Sequence, residues 1–450
     1  MTQLKKLYLK LLSAVRKIKL PLLLITLQTW VLYLQPLRLT GDDPIRFNAV
    51  TEILNGTMPA MKFSIIHPEF FAIIQKILDA LSIGAMSASH SGAILWALWS
   101  ISIALILRAH RSERYIVYAL SFVYFSMLGA YLTGFSSDVF SALGISLGLA
   151  MAILAKGYFI KITGLFFLVF STANTPVLLA GAVTSSLFMI IKLKQLRYAL
   201  YPMLTLLLII AEASFFRGQL AISKYALGTE GGRSILLPWG YIEGFKYPVF
   251  FGVISILFSF GRGFLFYIPS FLVALRRYKD LLGNWITVQL LFVLSLIPIY
   301  GAWWAWYGGL SYGPRFFMLG CIVGAFGVTE ILFGHVKHKL TTKIFASLSI
   351  LMSFWVSFIG ISYFITPKVA FMCMKEGFRY EPLCWYSPEY STIFAPLWEG
   401  GAVSNEAKYF TYLGSLILAL IIVERFLPHA KKKIRRLFEE KNQFLRDWKF

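Results

Sequence analysis

Charged side chains are scarce in this chain of 450 residues: Asp, Glu, Lys and Arg make up 14% of it, against 58% hydrophobic residues and a mean hydropathy of +0.69. That is too little polarity to cover a soluble globular surface, so the bilayer is the solvent this composition fits. Acid is scarcer than base, with 21 Asp and Glu against 43 Lys and Arg and a net charge of +22. An excess of that size in a soluble chain points to nucleic acid. Here it does not, because the positive residues gather at the ends of apolar runs. Of the three cysteines, Cys321 falls inside an apolar run and behaves as a small apolar residue. Cys373 and Cys384 share one loop, where an oxidising compartment permits a disulfide, although sequence alone does not establish the distance between them. The six histidines show no zinc-ligand spacing, and no Walker or dinucleotide fingerprint occurs. No internal repeat or low-complexity linker interrupts the chain, which leaves residues 1–450 as a single polytopic domain.

What is present is a long series of apolar runs. At roughly 20 residues per crossing they predict an all-α integral membrane fold of about twelve transmembrane helices with outer-face juxtamembrane helices and loops. The spans fall near Leu20 to Leu37, Ser91 to Leu107, Tyr115 to Leu132, Val139 to Ala155, Ile162 to Asn174 and Pro176 to Ile191. They continue near Leu200 to Phe215, Gly263 to Leu275, Trp285 to Tyr300, Phe316 to Phe333, Ile344 to Phe364 and Phe410 to Phe426. The first run lacks a small-residue cleavage site and leads into a polar loop, so it reads as a retained anchor rather than a signal peptide.

Basic clusters at Lys5, Lys6, Lys10, Arg16, Lys17 and Lys19, and at Lys431, Lys432, Lys433, Arg435 and Arg436, place both termini in the cytoplasm of a multi-pass cell or inner membrane protein. The stretch Pro68 to Leu81 is apolar too, yet carries Glu69, Gln75, Lys76 and Asp79. Counting it as a span would put the basic loop Arg108 to Arg114 outside. An interfacial amphipathic helix on the outer surface keeps its polar groups wet and preserves the charge rule. Every basic loop then lies inside: Arg108 to Arg114, Lys156 to Lys161, Lys192 to Arg197, Arg276 to Lys279 and His335 to Lys343.

The outer segments are a first loop over residues 40–90, a turn at Ser136-Ser137-Asp138, the stretches Arg217 to Arg262 and Gly301 to Arg315, and a last loop over 366–408. Long loops on one face of a rigid helical scaffold are where binding and catalysis concentrate. The first loop holds adjacent carboxylates, Asp42 and Asp43, in Gly41-Asp42-Asp43-Pro44. Acidic side chains beside lipid cost free energy, whereas a water-filled interfacial groove can use them as base or metal ligand. The local alternative is that Asp43 caps a helix whose first residue is Pro44. Asp138, after two serines, reads equally as cap chemistry.

Three outer segments carry a resemblance. The first is the acid pair, followed by Phe63-Ser64-Ile65-Ile66-His67-Pro68; the second is Ser259-Phe260-Gly261-Arg262-Gly263-Phe264-Leu265-Phe266-Tyr267-Ile268-Pro269. The third is Trp303-Trp304-Ala305-Trp306-Tyr307-Gly308-Gly309-Leu310-Ser311-Tyr312-Gly313-Pro314-Arg315-Phe316. In this order, and across most of the membrane core, the chain resembles the bacterial and archaeal polyprenyl-phosphate-sugar-dependent glycosyltransferases of the GT-C superfamily. It departs from them at Phe260, where proline is common.

The resemblance implies transfer of a sugar from a polyprenyl-phosphate carrier to a glycan, lipid or protein acceptor at the outer face of a cell envelope membrane. Such a reaction, with oxocarbenium character at the anomeric carbon, needs a carboxylate to take the acceptor proton and positive charge for the departing phosphate. The acid pair matches the first role, with Asp43 favoured over Asp42. Arg315, beside Gly313 and Pro314 at the start of a span, matches the second, since a guanidinium presents a planar fork to phosphate oxygens; lipid-headgroup snorkelling is its ordinary alternative. Arg262, flanked by Gly261 and Gly263, is a second donor-phosphate candidate.

Asp138 and His67 are candidates beside the site. Asp42, Asp43, Asp138 and His67 offer the donors of an Mg²⁺ or Mn²⁺ site, without a spacing that establishes one. Trp303, Trp304, Trp306 and Tyr307 read as an interfacial aromatic belt, or, for Trp304, Trp306 and Tyr307, as a sugar platform. Nothing supports a nucleotide sugar or a nucleic-acid partner. Two other functions fit similar hydropathy: a transporter or flippase for a lipid-linked glycan, and a polymerase or ligase that joins whole glycans.

The charge pattern makes a topological prediction. With the native cysteines removed, single cysteines near Asp43 react with an impermeant reagent from outside only. Outside labelling of the Arg111 loop would instead move the Pro68 to Leu81 stretch into the membrane and invert every later assignment.

Overall fold

The computed structural model describes residues 19–83, 87–217, 231–233, 241–276, 283–309, 311–334, 336, 338–363, 365–378, 380–399, 403, 407–417 and 419. The chain divides into two compact units, residues 1–403 and 404–450. In the second, residues 407–417 are helical.

The first unit begins with helices α1 (Lys19–Tyr33), α2 (Asp43–Leu54), α3 (Ile66–Ala80), α4 (Ser91–Leu107), α5 (Glu113–Tyr124), α6 (Met127–Tyr131), α7 (Ser137–Leu154), α8 (Tyr158–Ala173), α9 (Leu179–Leu193) and α10 (Leu200–Glu212). It continues with α11 (Val249–Phe258), α12 (Phe264–Tyr267), α13 (Pro269–Arg276), α14 (Gly283–Ala302), α15 (Met318–Phe333), α16 (Leu340–Ser362), α17 (Pro367–Phe378), α18 (Glu381–Tyr386) and α19 (Pro396–Glu399). One short antiparallel pair, Gly231–Arg233 with Tyr241–Glu243, departs from the helical pattern.

Seven stretches of the described residues are helical, long and apolar enough to cross a membrane: Ala88–Leu107, Ser137–Leu154, Pro176–Leu193, Leu196–Phe216, Trp285–Ala302, Arg315–Phe333 and Leu340–Ser362. Each coincides with an expected span. Two further expected spans are shorter apolar helices, Lys19–Tyr33 and Tyr158–Ala173, and a third such helix, Val249–Phe258, lies where the sequence suggested only an outer loop. Two expected spans are interrupted. Tyr115 to Leu132 is divided at Ser126, whose hydroxyl turns back to accept from Leu128 N at 3.2 Å and starts α6 as a new helix. Gly263 to Leu275 is divided at Pro269, which lacks the N–H that a continuous helix would need. The expected span Phe410 to Phe426 extends outside the described residues, as do the basic clusters of both termini apart from Lys19.

The most extensive helix pairing among the described residues, α7 against α8, follows from small residues. A Cβ added at Gly144 would collide with the Ser171 side chain, and one at Gly148 would stand 2.7 Å from the Gly164 carbonyl. In lipid there is little hydrophobic drive between helices, so close van der Waals approach through such a seam holds them.

At the end of the bundle that carries Asp43, backbone pairing sews the segment after α1 to the turn before α7. Arg38 forms a parallel bridge with Gly134, its N–H donating to Thr133 O at 3.0 Å, and its side chain donates to Gly360 O of α16 at 3.1 Å. The helix expected over Pro68 to Leu81 forms as α3, and its preceding turn is anchored by Ile65 N donating to the buried Glu212 carboxylate at 3.0 Å. These ties bring α2, α6, the start of α7 and the approach to α15 to one place.

Gly148→Ala forces apart α7 and α8, so it is expected to destabilise the protein by about 1 to 3 kcal/mol, the range of an overpacked core. Thermal unfolding in detergent, compared with the wild type, measures this.

Candidate functional site

Asp42 occupies the N-cap position of α2, one residue earlier than the capping alternative supposed, and its side chain makes no capping bond. Pro44 follows in the first turn with its fixed φ. Asp43 is therefore the first helical residue. Its Oδ2 accepts from Thr40 N at 3.3 Å and from the Thr40 hydroxyl at 3.4 Å, which fixes the carboxylate against the preceding turn. Asp138 does not cap α7 either. Ser136 does, accepting from Val139 N at 3.4 Å, and Asp138 in the first turn reaches elsewhere.

Both freed carboxylates meet Arg315. Its Nη2 stands 3.3 Å from Asp42 Oδ2 and its Nε 3.9 Å from Asp138 Oδ2. Arg315 opens the 3-10 turn Arg315–Phe317 ahead of α15 and lies over the Phe316 ring at 5.2 Å. A polar pocket of about 540 Å³, counted with its open mouth, gathers Asp42, Asp43, Asp138, Arg46 and Arg315, with Tyr131 and Ser311 contributing hydroxyls. Arg46 is the member that reading the sequence missed. It follows Asp43 by three residues, which places both on one helical face. Its guanidinium is buried, donates to Ser64 O at 3.5 Å and lies 4.5 Å over the Phe63 ring.

Burial pushes the Asp43 carboxyl up to about 7 from 3.8. Desolvation of the charged form, with repulsion from Asp138 adding to the rise, outweighs the Thr40 bond and the nearby Arg315 and Arg46 charges, which act in the opposite direction. The folded protein thus favours protonated Asp43. That contribution to stability is complete below about 4 and is lost as pH rises through about 7. A carboxyl with that midpoint can both accept and return a proton near neutrality.

A second, apolar pocket of about 370 Å³, likewise counted with its open mouth, lies between α7, the turn before α9, α14 and the start of α15, lined by Ala142, Ile145, Leu178, Phe292, Val293 and Leu296 among others. It shares Asp138, Thr175 and Phe316 with the polar pocket, so a charged chamber and an apolar slot adjoin.

The other expected site residues stand apart from this pocket. His67 is fully buried, its ring centroid 4.3 Å from Phe135, 5.1 Å from Phe140 and 5.3 Å from Phe71, with neither ring nitrogen hydrogen-bonded. Desolvation lowers its pKa well below 6.5, which makes it a neutral packing residue. Among the described residues no three His, Cys, Asp or Glu side chains are grouped to hold a metal ion. The three pocket carboxylates face two guanidiniums, Arg315 and Arg46, whose charges oppose theirs.

Trp306 and Tyr307 are 2% and 7% exposed and pack on Trp385, at 5.5 and 3.9 Å between ring centroids. Neither a lipid-facing belt nor an open sugar platform fits that burial; Trp304 alone of the three is part exposed. Arg262 joins this aromatic cluster, with Nη2 donating to Gly309 O at 3.0 Å, and does not line the polar pocket. The cluster includes Glu381, unremarked in the sequence, whose carboxyl burial pushes up to about 7 against the opposing effects of Arg262 and a Tyr307 hydrogen bond. Cys373 and Cys384 form a disulfide, with Cα atoms 6.0 Å apart, joining α17 to α18.

No family model matches this chain, and neither a curated protein nor a solved structure is significantly similar to it.

The electrostatics of Asp43 can be read directly by infrared difference spectroscopy. The wild type is expected to lose a protonated-carboxyl band as pH rises through about 7, and Asp43→Asn to lack that component while keeping the one from Glu381.

Proposed function

We propose that this membrane protein is a glycosyltransferase of the GT-C type that moves one sugar from a polyprenyl-phosphate carrier to an acceptor at the outer face of the membrane. The observation that carries the reading is the adjacency of the two pockets. A ligand that is an anionic sugar phosphate at one end and an isoprenoid at the other matches a chamber holding Arg315 and Asp43 that adjoins an apolar slot between helices. The resemblance of the three outer segments supports the same substrate class.

In this reading the acceptor hydroxyl oxygen attacks the anomeric carbon of the carrier-bound sugar. The new bond forms as the bond to the phosphate oxygen breaks, and the electron pair leaves with the phosphate. Asp43, unprotonated above about 7, takes the acceptor proton. Arg315 exchanges its partner Asp42 for the phosphate, whose developing charge its fork of donors stabilises. Asp138, 3.9 Å from Arg315 Nε, keeps that side chain oriented during the exchange.

A flippase for a lipid-linked glycan is the competing reading, and the interrupted helices at Ser126 and Pro269 favour it, since discontinuous helices line the substrate sites of many transporters. Supplying the purified protein with short-chain polyprenyl-phosphate sugars and measuring release of carrier phosphate separates the two: transfer releases it, transport does not.

With such a donor, Asp43→Asn is expected to lower kcat by roughly 10² to 10⁴, the range of general-base catalysis, and to abolish the rise of rate with pH through about 7. Asp42→Asn has a smaller effect. Arg315→Lys keeps the charge but loses the fork, so the KM for donor rises, and Arg315→Ala raises it further. Wild-type donor dependence in both Arg315 variants would remove that residue from the site.

A further inference from the structure

Arg262 is buried at 3% exposure, yet its guanidinium lines neither the polar nor the apolar pocket and binds backbone. Nη1 donates to the Gly261 carbonyl and Nη2 to the Gly309 carbonyl, each at 3.0 Å. Gly309 and its neighbour Gly308 take left-handed φ values of 71° and 78°, a turn that a side chain would strain. Gly308 is also the seat of Arg315. A Cβ at that position would stand 3.1 Å from Arg315 Cγ and 3.3 Å from its Nε. Arg262 thus holds Gly309 of the turn, while the stem of Arg315 rests against Gly308.

The rest of the turn is held just as firmly. Tyr131 donates its hydroxyl to Tyr312 O at 2.8 Å and accepts from Tyr312 N at 3.0 Å, fixing the limb that leads to Arg315. Behind Arg262, Gly261 N donates to Trp385 O at 2.9 Å, and there is no room for a Cβ at Gly261 against the Cys384 carbonyl. The same helix, α18, is tethered by the Cys373–Cys384 disulfide and carries Glu381, whose carboxylate opposes the Arg262 charge and takes a hydrogen bond from Tyr307. A guanidinium is costly to bury. Placing one here to bind two carbonyls makes sense where a turn must be held to a narrow geometry.

We propose that Arg262 is a positioning residue: by gripping the Gly309 carbonyl it fixes the Gly308–Gly309 turn, and that turn sets the direction in which Arg315 presents its guanidinium to the polar pocket. The proposal rests on the reading of Arg315 as the group that meets a lipid-linked phosphate.

The test uses the full-length protein in detergent and a farnesyl monophosphate probe, titrated against the wild type, Arg262→Lys, Arg315→Lys and the double variant. Lysine retains charge at position 262 but cannot span two carbonyls with a planar fork. Misdirecting Arg315 in this way is expected to weaken probe binding about tenfold, within the range that small misplacements of a binding group produce. The double variant is expected to bind no more weakly than the poorer single variant, because both changes remove the same contact. With a sugar-bearing donor, Arg262→Lys raises KM more than it lowers kcat. Gly308→Ala disturbs the turn from the opposite side, leaving Arg262 intact, and is expected to weaken the probe similarly; it decides the matter if Arg262→Lys does not fold.

Losses that multiply in the double variant, or wild-type affinity in both Arg262→Lys and Gly308→Ala while Arg315→Lys binds weakly, would overturn the positioning role alone. A wild-type protein that ignores the probe would remove the pocket reading, and this proposal with it.

Discussion

A guanidinium set among carboxylates in a largely apolar helical protein is stable only if each charge is answered, and the balance around Arg315 is the constraint on which the rest of this end of the molecule depends. Asp42 and Asp138 approach it at 3.3 and 3.9 Å from two different helices. Asp43, a residue away, is less exposed to that compensation, and burial raises its pKa to about 7. Neighbouring aspartates thus acquire different chemistry from their surroundings: one is an ion-pair partner, the other a proton acceptor poised near neutrality.

Holding that balance explains much of the local architecture. The Arg38–Gly134 bridge brings the segment before α2 alongside the turn before α7, so that Asp43 and Asp138 share a pocket although 95 residues separate them in the chain. Ser136 takes the capping role at α7 and Thr40 takes the Asp43 carboxylate, which leaves Asp138 and Asp42 to face the arginine. On the far side, the Tyr131–Tyr312 bonds and the Arg262 grip on Gly309 hold the turn that carries Arg315. The small-residue seam of α7 and α8 supplies the rigid floor beneath the start of α7.

The adjoining pockets give that polar arrangement a functional setting. The polar chamber alone would suit many anions, and the apolar slot alone would suit many lipids. They share Asp138, Thr175 and Phe316, the adjacency on which the proposal of a ligand that is both rests. The buried aromatic cluster around Trp385 is a support behind this chamber rather than a surface offered to a sugar, and it contains a second carboxyl, Glu381, shifted by the same desolvation.

Composition and periodicity by themselves determined that the chain is helical and apolar enough for a membrane, because a run of some twenty apolar residues has few other solutions in lipid. Seven expected spans appear as single helices for that reason. Hydropathy could not reveal the breaks at Ser126 and Pro269, since it averages over the single residue whose hydrogen bonding interrupts a helix. Asp42, Asp43, Asp138 and Arg315 were legible as site candidates because charge is rare in such a chain, and Arg46 was within reach at helical spacing from Asp43. Only the tertiary structure decided which of these charges meet. It sent Arg262, Trp306 and Tyr307 to a cluster with Glu381 and enclosed His67 among phenylalanines, because burial and partner choice are properties of packing between segments far apart in sequence, which no local pattern encodes.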